Sequence, residues 1–422
     1  MHSPETKSDE YQIKKTRGKF IAMSVAYFLG VFNSNFLSQT VLIMAITSGK
    51  SYIQSCVTII MTLPFIILAA PAGWSADRFS KRSVIIAAKA AELFAVIIGV
   101  AGIYLLHWPA MMTVLAILGI QAAFFNPAIN GSIPELYPDK YVMKANGILK
   151  MLSTAAILAG IAAAGFVQAI TGTIGPLLKN IATAGTVILA AAAIGLAVST
   201  GVPKYPAAAP DRRFPKSGPL RTVKDLWDIR SDRLLSISVT ANAFFWFVGT
   251  LEVLVINQLG LSQFALGPSK TSILIVAELV GIAIGSMFAA RLATGRKWYR
   301  VLSPAAFLMA SSMAAVAAAG LLTGSLKMVF LVSVLAVMGI SGGVFLIPLE
   351  SFIQIRPAPD RKGAMIAAAN FAAFSGVLLA GMVLGVLNWL RSAPTCDFLV
   401  MGTMSAVTAV WLRSVLSGKD YD

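Results

Sequence analysis

The chain has 422 residues, 57% of them hydrophobic and only 12% charged, a balance that excludes an ordinary soluble domain. Its formal net charge is +16, but the bases gather in short polar connections between apolar runs, which is the pattern of a membrane topology signal rather than of a nucleic-acid surface. Cys56 and Cys396 have no paired spacing, so neither a disulfide framework nor a metal site is suggested.

Residues 1–19 are polar and basic and lack an apolar core followed by a small-residue cleavage site, so they read as a cytoplasmic tail rather than a signal peptide. Apolar runs then recur at 20–47, 52–72, 83–106, 109–131, 144–170, 177–200, 234–257, 269–291, 299–322, 327–349, 364–387 and 398–416. Each is about the 20 residues that cross a ~30 Å hydrocarbon core. Their length, with no short alternating strands, predicts helices rather than a barrel. The expected fold is all-α and integral to the membrane, with twelve transmembrane helices.

Orientation follows from charge. With both termini cytoplasmic, 27 of the 34 Lys and Arg fall at the termini or in even-numbered connections. Five (Lys50, Lys179, Lys270, Lys327 and Arg391) fall in odd-numbered ones, and Lys89 and Lys150 lie inside runs. That bias puts the basic side in the cytoplasm. The longest polar interruption, 201–233, is Pro-rich at first and then basic from Leu220 with Leu226, Trp227 and Ile229, so it reads as a cytoplasmic linker whose second part suits a helix at the membrane surface. It separates an N-terminal six-helix half, 20–200, from a C-terminal one, 234–416, and leaves 417–422 as a second cytoplasmic tail.

Along the chain, the first run carries Asn33, Asn35 and Gln39 about midway across. Gly73-Trp74-Ser75-Ala76-Asp77-Arg78-Phe79-Ser80-Lys81-Arg82 then makes a tight charged turn between the second and third runs. Lys89 and Glu92 share one face of the third run at i, i+3, either as a structural pair or with a direct part in gating or binding. Asn126 and Asn130 lie on the fourth run, nearer the cytoplasm. Lys150 lies in the cytoplasmic third of the fifth and either snorkels to the interface or faces a cavity. Glu278 is central in the eighth run, where a carboxylate titrates, binds a cation or pairs with a base such as Lys150. Glu252 and Glu350 fall nearer the ends of the seventh and tenth runs and either reach the interface or join the site. Gly281 with Gly285, and Gly381 with Gly385, have the spacing of close helix packing. Gly285, Arg291, Gly295, Arg296 and Lys297 repeat the first turn in worn form, as two related halves would.

The charged turn resembles the loop between the second and third helices of the major facilitator superfamily. That resemblance implies two pseudo-symmetric six-helix halves, a cavity lined by spans one, four, seven and ten, and a gate in which Gly73 permits close approach while Asp77, Arg78, Lys81 and Arg82 latch. More narrowly, Phe32-Asn33-Ser34-Asn35, Leu63-Pro64-Phe65, the stretch Ala72 to Lys81, Lys89-Ala90-Ala91-Glu92-Leu93, Phe125-Asn126-Pro127-Ala128, Lys144-Ala145-Asn146-Gly147, Pro348-Leu349 with Gln354, and Arg361 through Ile366-Ala367-Ala368-Ala369-Asn370 resemble the bacterial lysophospholipid transporter family. Two positions depart from it: Ser34 stands where the family has an acid, and Ile129 where it usually has a lysine. Losing one charge of each sign points to a changed headgroup site, or to one rebuilt from Glu278, Glu252 and Lys150.

The resemblance implies a secondary transporter of the inner membrane working by alternating access, with a lysophosphatidylethanolamine-like cargo moved for reacylation. The partners expected are membrane lipids, the amphiphilic substrate and a separate acyltransferase, with no nucleic acid, no cofactor and a monomeric state. The amides and Glu252, Glu278 and Glu350 form the expected substrate-binding set. Two alternatives stand beside it: a proton-coupled exporter of drugs or metabolites using Glu278, and a membrane sensor that does not transport. An enzyme is not expected, because neither His2 nor His107 is followed five residues later by an acid and no phosphate-cradling glycine loop is present.

Overall fold

A computed structural model describes residues 4–47, 52–105, 107–169, 174–216, 218–295 and 297–416. Lys50, His2, Arg296 and the tail 417–422 lie outside them, as does the side chain of Lys179. All long elements among the described residues are helices, as apolar backbone in lipid requires. They are α1 (Pro4–Thr47), α2 (Tyr52–Ile67), α3 (Ala69–Arg78), α4 (Lys81–Tyr104), α5 (Trp108–Leu136), α6 (Asp139–Ala169), α7 (Ile174–Ser199), α8 (Pro219–Asp228), α9 (Arg233–Gln258), α10 (Pro268–Leu292), α11 (Leu302–Ala318), α12 (Gly324–Ile355), α13 (Lys362–Trp389) and α14 (Pro394–Leu416).

Each expected apolar run falls on a helix, or for 52–72 on the pair α2–α3, although the span count differs. Among the described residues ten helices are long and apolar enough to cross a bilayer, and the bent pair α2–α3 makes an eleventh. The remaining run, 177–200, falls on α7, whose described apolar part is only Gly185–Ser199. The 58° bend between α2 and α3 has a local cause. Pro71 has no N–H to offer Ile67, and its ring crowds that carbonyl, so the helix breaks at Leu68 (φ −97°, ψ 7°). The charged turn then closes sharply. Phe79 is extended, and Ser80 caps α4 by accepting from the Ser83 backbone N–H at 3.3 Å.

Contacts divide the chain into two compact units: 1–138 with 155–228 and 354–371, and 139–154 with 229–353 and 372–422. In the first, α4 packs on α5 and α7 around Leu37, Val96, Leu115 and Leu118. In the second, α11 packs on α14, with Met313, Phe345, Phe398 and Met401 in the core. Glycines bring α10 and α12 of the second unit into backbone contact: a Cβ at Gly343 would lie 2.5 Å from the Ser286 nitrogen, and one at Gly281 3.0 Å from the Ile340 nitrogen. Gly381 and Gly385 share the spacing but have nothing within 4 Å of a Cβ among the described residues. Large apolar side chains such as Phe94, Ile97, Ile194, Phe288 and Val407 are exposed, as a lipid-facing surface requires.

Candidate functional site

Four polar clusters interrupt this apolar body, two in each unit. In the first unit, Asp77 closes the last turn of α3 and is fully buried. Its carboxylate accepts from the backbone N–H of Gly363 at 2.6 Å and of Ala364 at 3.0 Å. Those are free amides of the first turn of α13, where unpaired donors and the helix dipole favour an anion. The approach depends on two glycines. A Cβ at Gly73 would sit 2.7 Å from the Ala364 Cα, and one at Gly363 2.6 Å from the Asp77 carboxylate.

The linker completes this cluster. Arg212 forms an ion pair with Asp77, the Ala209 N–H donates to the Asp77 carbonyl at 2.9 Å, and Trp74 Nε1 donates to the Arg212 carbonyl at 2.9 Å. Arg78 donates to the carbonyls of Pro210 and Arg212, and Phe214 stacks edge-on against Trp74 at 5.0 Å. Further on, Arg361 reaches Asp225 at 3.1 Å and Asp228 at 3.3 Å on α8. Lys81 pairs with Glu135, and the half-buried Arg82 leaves its Nε without a hydrogen bond. The segment 209–214 is thus fastened to the charged turn rather than loose in solvent.

The second cluster lies inside the same unit. Lys89 Nζ meets Glu92 Oε2 at 2.6 Å, Asn33 Nδ2 donates to the other Glu92 oxygen at 2.9 Å, and Lys89 lies 5.1 Å from the centre of the Phe125 ring. All three polar side chains are buried, so each charge is neutralised where it sits. Asn33 therefore holds Glu92. Asn35 bonds back to the Val31 carbonyl at 2.8 Å. Gln39, Asn126 and Asn130 are half-buried and make no side-chain hydrogen bond among the described residues, which leaves their amides available to a ligand.

In the second unit, Lys150 on α6 lies 4.9 Å from the centre of the Trp246 ring and interacts electrostatically with Glu350 of α12. Asn146, one turn earlier, donates to Ser351 Oγ at 2.8 Å, which fixes α6 against α12. Lys150 is thus matched with Glu350, and Glu278 has a different partner. Glu252 on α9 and Glu278 on α10 are both 3% exposed, and their carboxyls hydrogen-bond to each other. Two carboxyls can bond only by sharing a proton. Each keeps one buried oxygen without a partner, Oε1 of Glu252 and Oε2 of Glu278. An acid pair with two unpartnered oxygens can receive a proton or a cationic group.

Sequence reasoning did not single out Arg212, Glu135 or Trp246. Arg212 is one of eight bases in the linker and carries no mark of its own, and Glu135 lies 54 residues from its partner. Gly363 had a detectable signal, a glycine between two bases and an apolar run at a helix start.

The family model described as Major Facilitator Superfamily matches residues 21–381. The lysophospholipid transporter LplT of Photorhabdus laumondii is 27% identical over 353 residues, covering 80% of each chain. That of Salmonella gallinarum is 28% identical over 367 residues, covering 85% of each. The crystal structure of the human organic anion transporter MFSD10 superimposes with a TM-score of 0.74 at 14% identity, over 94% of this chain and 99% of that one, which speaks for the fold alone.

Proposed function

The chain belongs to the major facilitator superfamily, and from that premise we propose that it carries a lysophosphatidylethanolamine-like lipid across or between the leaflets of a bacterial inner membrane, by alternating access and for reacylation by a separate acyltransferase. Both termini then face the cytoplasm, and the protein works as a monomer. The observation that carries the reading is that the second unit buries an acid pair, Glu252 with Glu278, and separately holds a base, Lys150, beside Trp246 and Glu350. A zwitterionic headgroup needs an anionic acceptor for its ammonium and a cationic donor for its phosphate. Glu252 and Glu278 supply the first and Lys150 the second, in place of the charges missing at Ser34 and Ile129. The likeness to lysophospholipid transporters over most of the chain supports the same cargo.

Asp77 would serve as a gate latch that breaks and reforms once per cycle. The decisive assay compares uptake of labelled lysophosphatidylethanolamine by cells with and without the protein, beside a panel of amphiphilic drugs. Lysolipid uptake that falls at least tenfold in Glu278→Gln and in Lys150→Ala is the expected result. No lysolipid movement with clear drug efflux would overturn it.

That outcome would favour a second reading for which the shared proton between Glu252 and Glu278 speaks: proton-coupled export of amphiphiles. There Glu278→Gln should abolish the pH dependence of efflux and leave exchange intact.

A further inference from the structure

The linker helix α8 has two unlike faces. Thr222 and Asp225 are buried, as is Ile229 just after the helix, and Asp225 and Asp228 hold Arg361, immediately before the α13 turn that binds Asp77. Leu220, Val223 and Trp227 lie on the other side at i, i+3 and i+7, and are 74%, 50% and 64% exposed. The exposed Lys224 lies beside that stripe, with Arg221, paired to Asp225 at 3.4 Å, on the next flank, Lys216 shortly before the helix and Arg230 just after it. An apolar stripe with a Trp and basic flanks on a short helix is what binds the headgroup layer of a bilayer, through apolar insertion and attraction to anionic lipid.

We propose that α8 is a membrane-surface anchor that reads anionic lipid, its Leu220–Val223–Trp227 stripe entering the headgroup layer while Asp225 and Asp228 pass the restraint to Arg361 and so to the Asp77 latch. Position and charge select this occupant. α8 packs against α3, which is the second half of a bent span, so the nearest large apolar phase is the protein's own bilayer. The flanks are basic, and 27 of the 34 Lys and Arg lie on the same side by the charge bias of the sequence. A protein partner or a second copy has no such reason to prefer a Lys- and Arg-bordered stripe at this place. The inference rests on the membrane topology and is independent of the cargo.

The test uses full-length protein with Cys56 and Cys396 replaced, a nitroxide on Trp227→Cys, and reconstitution into phosphatidylethanolamine vesicles with or without phosphatidylglycerol. With phosphatidylglycerol, the label is expected to gain oxygen accessibility and lose accessibility to an aqueous nickel reagent. Hydrogen exchange at the Gly363 and Ala364 amides should slow in parallel in the unlabelled protein. The triple variant Leu220→Ser, Val223→Ser, Trp227→Ser should lose that lipid dependence, and Lys224→Glu should weaken it, while both unfold in detergent at the parent's temperature. A label as open to the aqueous reagent in both lipids, or one protected in detergent in proportion to self-association, would overturn the proposal. So would exchange at Gly363 and Ala364 that ignores lipid charge.

Discussion

Asp77 shows how one side chain can carry an interface between helix ends. Its carboxylate takes two charge-assisted bonds from the start of α13 and an ion pair from Arg212, each a stronger bond than a neutral one. Asp77→Asn keeps the shape but removes the charge, and should weaken this contact by about 1–3 kcal/mol. Transport should drop while membrane levels hold, and unchanged flux at equal expression would show that the latch is dispensable. Lys89 and Glu92 call for a different argument. Removing one partner of a buried pair strands the other charge, at a cost of about 3–5 kcal/mol, whereas replacing both with apolar residues of similar size is often neutral. Thermal unfolding in detergent should therefore rank Lys89→Ala and Glu92→Ala well below Lys89→Met with Glu92→Met. Equal loss in all three would mean that the charges themselves are needed. That these two residues share a face was legible from their spacing. That Asn33 completes their cluster was not, because a bond across 59 residues leaves no local trace.

At the scale of helices, two glycine pairs with one spacing behave oppositely. Gly285 of α10 lies against the Ile340 backbone of α12, and Gly385 meets nothing among the described residues. Gly285→Ala should lower the unfolding temperature because the new Cβ has no room. Gly385→Ala should raise it slightly, since alanine gains ~0.5–1 kcal/mol over glycine inside a helix. Melting curves of the two variants decide the matter, and equal destabilisation would refute it. The apolar runs themselves were legible because a bilayer imposes one long hydrophobic stretch per crossing. Which small-residue motif finds a neighbour depends on how helices are arranged in space, which spacing along one helix does not encode. The α2–α3 bend lies between: Pro71 announces a break, but a continuous apolar run at 52–72 conceals it.

For the whole molecule, charge bias predicts that the turn at 77–82 and the linker 201–233 share the cytoplasmic side. Single-cysteine labelling in a background without Cys56 and Cys396 checks this, and labelling of position 215 only from the periplasm would invert the topology. The linker was legible as an interruption in the apolar pattern, but its grip on Trp74, Asp77 and Arg78 was not, since prolines and scattered bases look the same whether bound or free. That grip makes the place of a chain break matter. Cut near 205, the C-terminal fragment would keep the 209–214 hook and could seat Arg212 and Phe214 on Trp74, Asp77 and Arg78 of a separately made N-terminal fragment. Cut near 216, the hook would stay on the fragment it already grips and reach the other through the long contact of Arg212 with the Asp360 carbonyl at 3.4 Å. Co-expressed fragments split at 205 should therefore co-purify better than those split at 216, so that a segment serving as a tether in the intact chain would act as a noncovalent clip in a divided one.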